Sequence, residues 1–140
     1  MTRDEVVLLL DRRFTALNNG DLTTLMTVHD PQGVVDSPLG GHATGIEAIR
    51  KVYDAWFASF PDAQFEIESP IVDGDRVAQV ATVTGTDSGG FMGLPPTGKK
   101  FSMPMVFLFT MQDGMIQHER RVYDFTGLMI QLGVLKAKPA

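Results

Sequence analysis

The chain has 140 residues, 44% of them hydrophobic and 21% charged, the make-up of one globular domain large enough to bury a core. Its net charge of −5, with no basic block, argues against nucleic acid or an anionic membrane as partner. The absence of Cys excludes disulfides and thiolate chemistry, and no apolar run or signal-type leader points to a membrane or to export, so a cytoplasmic location is expected.

Thr2-x-x-Glu5 is a capping-box pattern, opening a helix whose apolar face is Val6, Leu9, Leu10, Phe14 and Leu17. Arg13 falls on that face and is expected to contribute its aliphatic stem alone. Asn18-Asn19-Gly20 ends the helix, and Asp21 caps a short second one carrying Leu22, Leu25 and Met26. From His29 to His42 the Pro and Gly content reads as loop, with a short strand at 33–37 and His29 at the surface. Thr44-x-x-Glu47 repeats the capping box. The helix after it carries Ile46, Ile49, Val52, Tyr53, Trp56, Phe57 and Phe60, a stripe broad enough to lie across a sheet, and Pro61 stops it.

Strands follow at 64–72, with a bulge or end near Pro70, and at 76–86, joined by Asp73-Gly74-Asp75. Residues 87–100 read as an ordered connection held to the body by Phe91, Met92 and Leu94. A strand at 101–111, an Asp113-Gly114 hairpin turn, a strand at 115–123 and a helix closed by Gly133 complete the chain. Helices early and antiparallel strands late predict a single α+β domain over residues 1–140.

Alternation in the last strand places Ile116, His118, Arg120 and Val122 on one face, and Asp124 continues it. Sharing a pocket, these groups would form a catalytic set. His118 would abstract or relay a proton, Arg120 would pair with Asp124 or Asp36 or hold a substrate carboxylate or enolate in its planar fork, and Asp124 would act as acid or base. Asp124 also stands where a helix N-cap belongs, so both roles are open. Asp36, His42, Tyr53, Trp56, Met92, Met105 and Phe107 are the candidate substrate-binding residues, the aromatic and Met side chains supplying an adaptable apolar wall. His29, His42 and His118 lack a metal-ligand spacing and no Gly-rich phosphate loop is present, so neither metal nor cofactor is expected. Apolar residues on both faces of 103–109 suit a sheet face buried against a second copy, that is, a homodimer.

The string Gly89-Gly90-Phe91-Met92-Gly93-Leu94-Pro95-Pro96-Thr97-Gly98-Lys99 resembles the connecting segment of the SnoaL-like polyketide cyclases, a branch of the NTF2-like superfamily. The run GHATGIEAI at 41–49, Phe60-Pro61-Asp62, and Asp124-Phe125-Thr126-Gly127-Leu128 with Gln131-Leu132-Gly133 are similar to the same branch, in the same order. The resemblance implies a cone-shaped fold, a curved and mostly antiparallel sheet wrapped around the N-terminal helices. It also implies cofactor-free intramolecular aldol closure of an aromatic polyketide ester, with the principal acid/base falling on Asp124, and the expected substrate is more broadly a small hydrophobic carbonyl compound reacting through an enolate. His118 and Arg120 depart from it, because relatives more often carry an acidic and an aromatic residue there. The superfamily also contains ketone double-bond isomerases, epoxide hydrolases and non-catalytic ligand binders, which stay open as alternatives.

Overall fold

In the computed structural model, which describes residues 1–136, local side-chain chemistry sets the ends of the first elements. Thr2 Oγ1 accepts the Glu5 N–H at 3.2 Å and the Glu5 carboxylate accepts the Thr2 N–H at 3.3 Å, closing the capping box at the start of α1 (Arg3–Asn19). Asp21 caps α2 (Leu22–Val28) through the Thr24 N–H.

The segment expected to be mostly loop instead pairs as a hairpin, β1 (His29–Ser37) with β2 (Gly41–Thr44). Helix α3 (Ile46–Ser59) does not use the second capping box. Thr44 is spent in β2, and Gly45 is the N-cap, with no side-chain hydrogen bond. Pro70 separates β3 (Gln64–Ile67) from β4 (Ile71–Asp73), and both pair with β5 (Arg76–Thr86). Strands β6 (Lys100–Gln112) and β7 (Met115–Tyr123) are joined at Asp113 and Gly114, both at positive φ (53° and 76°), as a two-residue hairpin requires. Helix α4 (Phe125–Gln131) closes the fold. No helix among the described residues is long and apolar enough to cross a membrane.

The seven strands form one mixed sheet in the order β2-β1-β7-β6-β5-β3, with β4 also on β5; β1 and β7 run parallel and the other pairs antiparallel. Its twist curls the sheet about the helices without closing it, since β2 and β3 end as edges. The concave face carries Met103, Met105, Phe107 and Phe109 of β6 and Val77, Ala81 and Val83 of β5, all buried together with Leu10, Phe14, Ile49 and Trp56 of the helices. The convex face carries Pro104, Val106 and Leu108 of β6, exposed or half-buried.

Strand β7 departs from simple alternation. Thr110 pairs with His118, but the next residue, Met111, pairs with Ile116, so Gln117 is an extra residue on β7. This bulge shifts the phase, and the residues facing the core are Ile116, Glu119 and Arg121. The connection after β5 is organised by Asp87, wholly buried, whose carboxylate accepts the N–H groups of Gly90 and Thr97 and the Thr97 hydroxyl. Of its three expected anchors Phe91 alone is buried, against Phe60. Met92 and Leu94 are 64% and 43% exposed, because the chain reverses at Met92 and Gly93, both at positive φ.

Candidate active site

Glu119 is the centre of a polar cluster inside the cone. Its Oε1 accepts hydrogen bonds from Arg13 Nη2 (2.7 Å) and Nε (3.2 Å) of α1 and from the Tyr53 hydroxyl (2.6 Å) of α3. Its Oε2 accepts from Arg121 Nε at 2.7 Å. His29, at the start of β1, places Nε2 2.9 Å from the Tyr53 oxygen. Tyr53 spends its proton on Glu119, so the pattern assigns the His29 proton to Nε2 and leaves Nδ1 without a partner among the described residues. The guanidinium of Arg13 lies 4.4 Å from the Phe107 ring centre and 5.0 Å from that of Phe109, and Arg121 lies 4.7 Å from the Tyr53 ring.

Burial and charge together fix the protonation states. Burial works to raise the Glu119 carboxyl, but the Arg13 and Arg121 charges outweigh it and hold the group well below the usual carboxylate range. Burial lowers the two guanidiniums, and Glu119 more than restores them, so both end above their ordinary value. Burial pushes His29 down to about 4 and Tyr53 up to about 12, so both are neutral near pH 7.

Above Arg121 a cleft of about 220 Å³ opens between the β1–β2 hairpin, α3, the Phe91 loop and the end of β7. Its walls include Leu39, Val52, Trp56, Phe91 and Met92, with Ser59 and Tyr123 as hydroxyl bearers and Arg121 at the inner end. Trp56 Nε1 is buried with no acceptor among the described residues. The two terminal nitrogens of Arg121 make no hydrogen bond to a described residue. Burial raises the Tyr123 phenol, which keeps it a proton donor. No carboxylate or imidazole among the described residues lines this cleft. Below it, Tyr53, Met105, Phe107 and Arg13 enclose a space of only about 10 Å³, too small for a ligand.

The expected set of His118, Arg120 and Asp124 does not converge on one cavity. The Gln117 bulge turns His118 and Arg120 to the convex face, where Leu108 and Thr110 are their cross-strand neighbours. There Asp36 Oδ2 meets His118 Nε2 at 2.7 Å and Asp36 Oδ1 meets His42 Nδ1 at 2.6 Å, a partly exposed clamp across β1, β2 and β7. Desolvation raises the Asp36 carboxyl, but the hydrogen bonds from the two histidines outweigh it and leave the group below its ordinary value. Asp124 is an exposed helix cap, its Oδ1 accepting the Gly127 N–H at 2.9 Å. Of the expected binding residues, Trp56 and Met92 line the cleft and Tyr53, Met105 and Phe107 lie beneath it. Asp36 and His42 border a shallow depression on the outside, which Arg120 and Arg121 also line.

Arg13, His29, Glu119 and Arg121 lie outside the set of site residues that the sequence predicts. Arg13 carried a signal, a charged position inside the stripe Leu10, Phe14, Leu17. Glu119 and Arg121 carried another, two opposite charges at i, i+2 on a strand. His29, expected at the surface, is buried because β1 begins there rather than later, and it had no local signal.

A family model described as SnoaL-like polyketide cyclase matches residues 8–132. Among solved structures, AclR, a candidate hydroxylase from Streptomyces galilaeus, is 30% identical with a TM-score of 0.84, over 99% of this chain and 87% of that one. A candidate SnoaL-like polyketide cyclase from Jannaschia sp. CCS1 is 27% identical with a TM-score of 0.85, over 97% and 94%. IdmH, a candidate polyketide cyclase from Streptomyces antibioticus, is 32% identical with a TM-score of 0.74, over 89% and 96%. No match was found among curated proteins.

Proposed function

Because the chain belongs to the SnoaL-like polyketide cyclase family, we propose that it is a cofactor-independent enzyme closing a carbon–carbon bond in a small hydrophobic carbonyl compound held in the mouth cleft. The observation that carries this reading is Arg121, a buried cation with its Nε fixed by Glu119 and its terminal nitrogens free of hydrogen bonds among the described residues, at the inner end of an apolar cleft. Such a group is preorganised for the oxygen on which charge develops as an enolate forms. The Trp56 N–H supplies a second donor, and the apolar walls fold the substrate so that the enolate carbon meets a second carbonyl. The α-proton leaves to water, the Tyr123 hydroxyl protonates the new aldol oxygen, and water returns a proton to the Tyr123 phenolate. Double-bond isomerisation of a ketone shares the enolate step. Of the residues that epoxide opening would use, Asp36 and Arg120 border one outer depression while Asp124 caps α4 apart from it, so that reading has less support.

The test is turnover of an aryl 1,5-diketone that closes by intramolecular aldol reaction. Arg121→Met lowers kcat/KM by about 10²–10³-fold, whereas Asp124→Asn, which keeps a capping side chain, stays within a few-fold of wild type. A large loss in Asp124→Asn with little in Arg121→Met would reverse the assignment.

The convex sheet face suits a second copy of the chain. Val106 stands beside Val80 and Val122 across the strands, flanked by Ala78 and Leu108, an apolar strip bordered by Arg76 and Arg120.

A further inference from the structure

The cluster inside the cone is not electrically balanced. Arg13 and Arg121 are charged, Glu119 is their single anionic partner among the described residues, and His29 and Tyr53 are neutral. One positive charge is left over in an enclosed site, a state that is costly unless something compensates it. The surplus lies at Arg121 rather than Arg13. Arg13 is wholly buried under Phe107 and Phe109 and gives Glu119 two hydrogen bonds, while Arg121 borders the cleft and makes one among the described residues, through Nε. Trp56, whose buried N–H has no acceptor among the described residues, lines the same cleft. The inner end of the cleft therefore offers donors and positive charge and, among the described residues, no carboxylate or imidazole to take a proton from a bound acid.

We infer that the cleft takes its ligand as an anion, a planar hydrophobic molecule with a delocalised oxyanion that meets the Arg121 terminal nitrogens and the Trp56 N–H. Ionised 1,3-dicarbonyls and hydroxyquinones have this chemistry. So do aromatic carboxylates, which lack the carbon nucleophile an aldol closure needs. The inference rests on the reading of the cleft as the substrate site and adds the charge state of the substrate. It also accounts for the missing base. A compound acidic enough to ionise in water arrives already as its enolate, and Arg121 selects that form by charge-assisted hydrogen bonds.

Trp56 is the sole tryptophan, so its fluorescence reports cleft occupancy directly. The full chain is titrated with 2-hydroxy-1,4-naphthoquinone, its neutral 2-methoxy ether, and 2-naphthoate, with calorimetry as a second readout free of inner-filter effects. The hydroxyquinone binds at least about tenfold tighter than the ether above its own pKa, and the advantage fades as pH falls through that pKa. Arg121→Met leaves Arg13 and Glu119 as a one-to-one pair, stays folded by circular dichroism, and loses the preference. Arg121→Lys keeps part of it. If 2-naphthoate matches the hydroxyquinone, the oxyanion accepted is general; if it binds weakly, the site is specific for enolate-type anions. Equal binding of the ether and the hydroxyquinone would overturn the inference and leave the cleft an apolar pocket for carbonyl compounds. Failure of all three probes to bind would overturn both readings.

Discussion

Glu119 accepts four hydrogen bonds from three side chains, and the consequence is rigidity. Arg13 from α1, Tyr53 from α3 and Arg121 from β7 are each held by one carboxylate in a dry setting, where such bonds are short and strong. His29 extends the cluster to β1 as a neutral imidazole, and this makes stability depend on pH. In the fold it takes up a proton only near pH 4, whereas in the unfolded chain it does so near 6.5. Between those values the unfolded state binds more protons, so stability falls as pH drops, by roughly 3 kcal/mol from neutrality to below pH 4. Denaturation midpoints of His29→Leu measured across that window decline less steeply than those of wild type. Parallel curves would show that His29 is not buried and neutral.

At the scale of elements, β7 decides the site. Its ends, Met115 and Tyr123, coincide with the span expected from the apolar run and the Asp113-Gly114 turn. Its phase does not, because the bulge depends on pairing with two strands at once. Against β6 the register slips between Thr110 and Met111, and against β1 it slips between His29 and Val34. Gly33 lies at this irregularity. A Cβ there would sit 2.9 Å from the carbonyl oxygens of Asp30 and Gln117, both backbone. Gly33→Ala therefore pushes β1 away from the bulge and costs about 1–3 kcal/mol, with cleft binding weakened because Glu119 and Arg121 shift with β7. Wild-type urea stability and ligand affinity in that variant would show that the bulge does not depend on close approach of β1.

For the whole molecule, the open sheet divides the labour. The concave face holds the core, the charged cluster and the cleft, while the convex face presents Val106, Leu108 and Val122 between the arginines. Sedimentation of the proposed dimer gives twice the mass of the chain at micromolar concentration, and Val106→Asp with Val122→Asp gives a folded monomer. A wild-type monomer at that concentration would remove the second copy from the account.

What could be read from residues alone came from short-range physics. Capping at Thr2, Asp21 and Asp124, the two Asp-Gly turns, the helical stripe through Tyr53 and Trp56, and the motifs at 41–49 and 89–99 act within a few positions of each other. They sufficed for the α+β class and the family. Which charges lie inside required the tertiary structure. One extra residue at Gln117 reverses every side chain beyond it, exchanging His118 and Arg120 for Glu119 and Arg121 at the core. Burial of an arginine is tolerable only when partners arrive from elsewhere, and Arg13 meets Glu119 across 106 positions of chain. No local pattern contains that meeting, because it exists only once the sheet has curled around the helices.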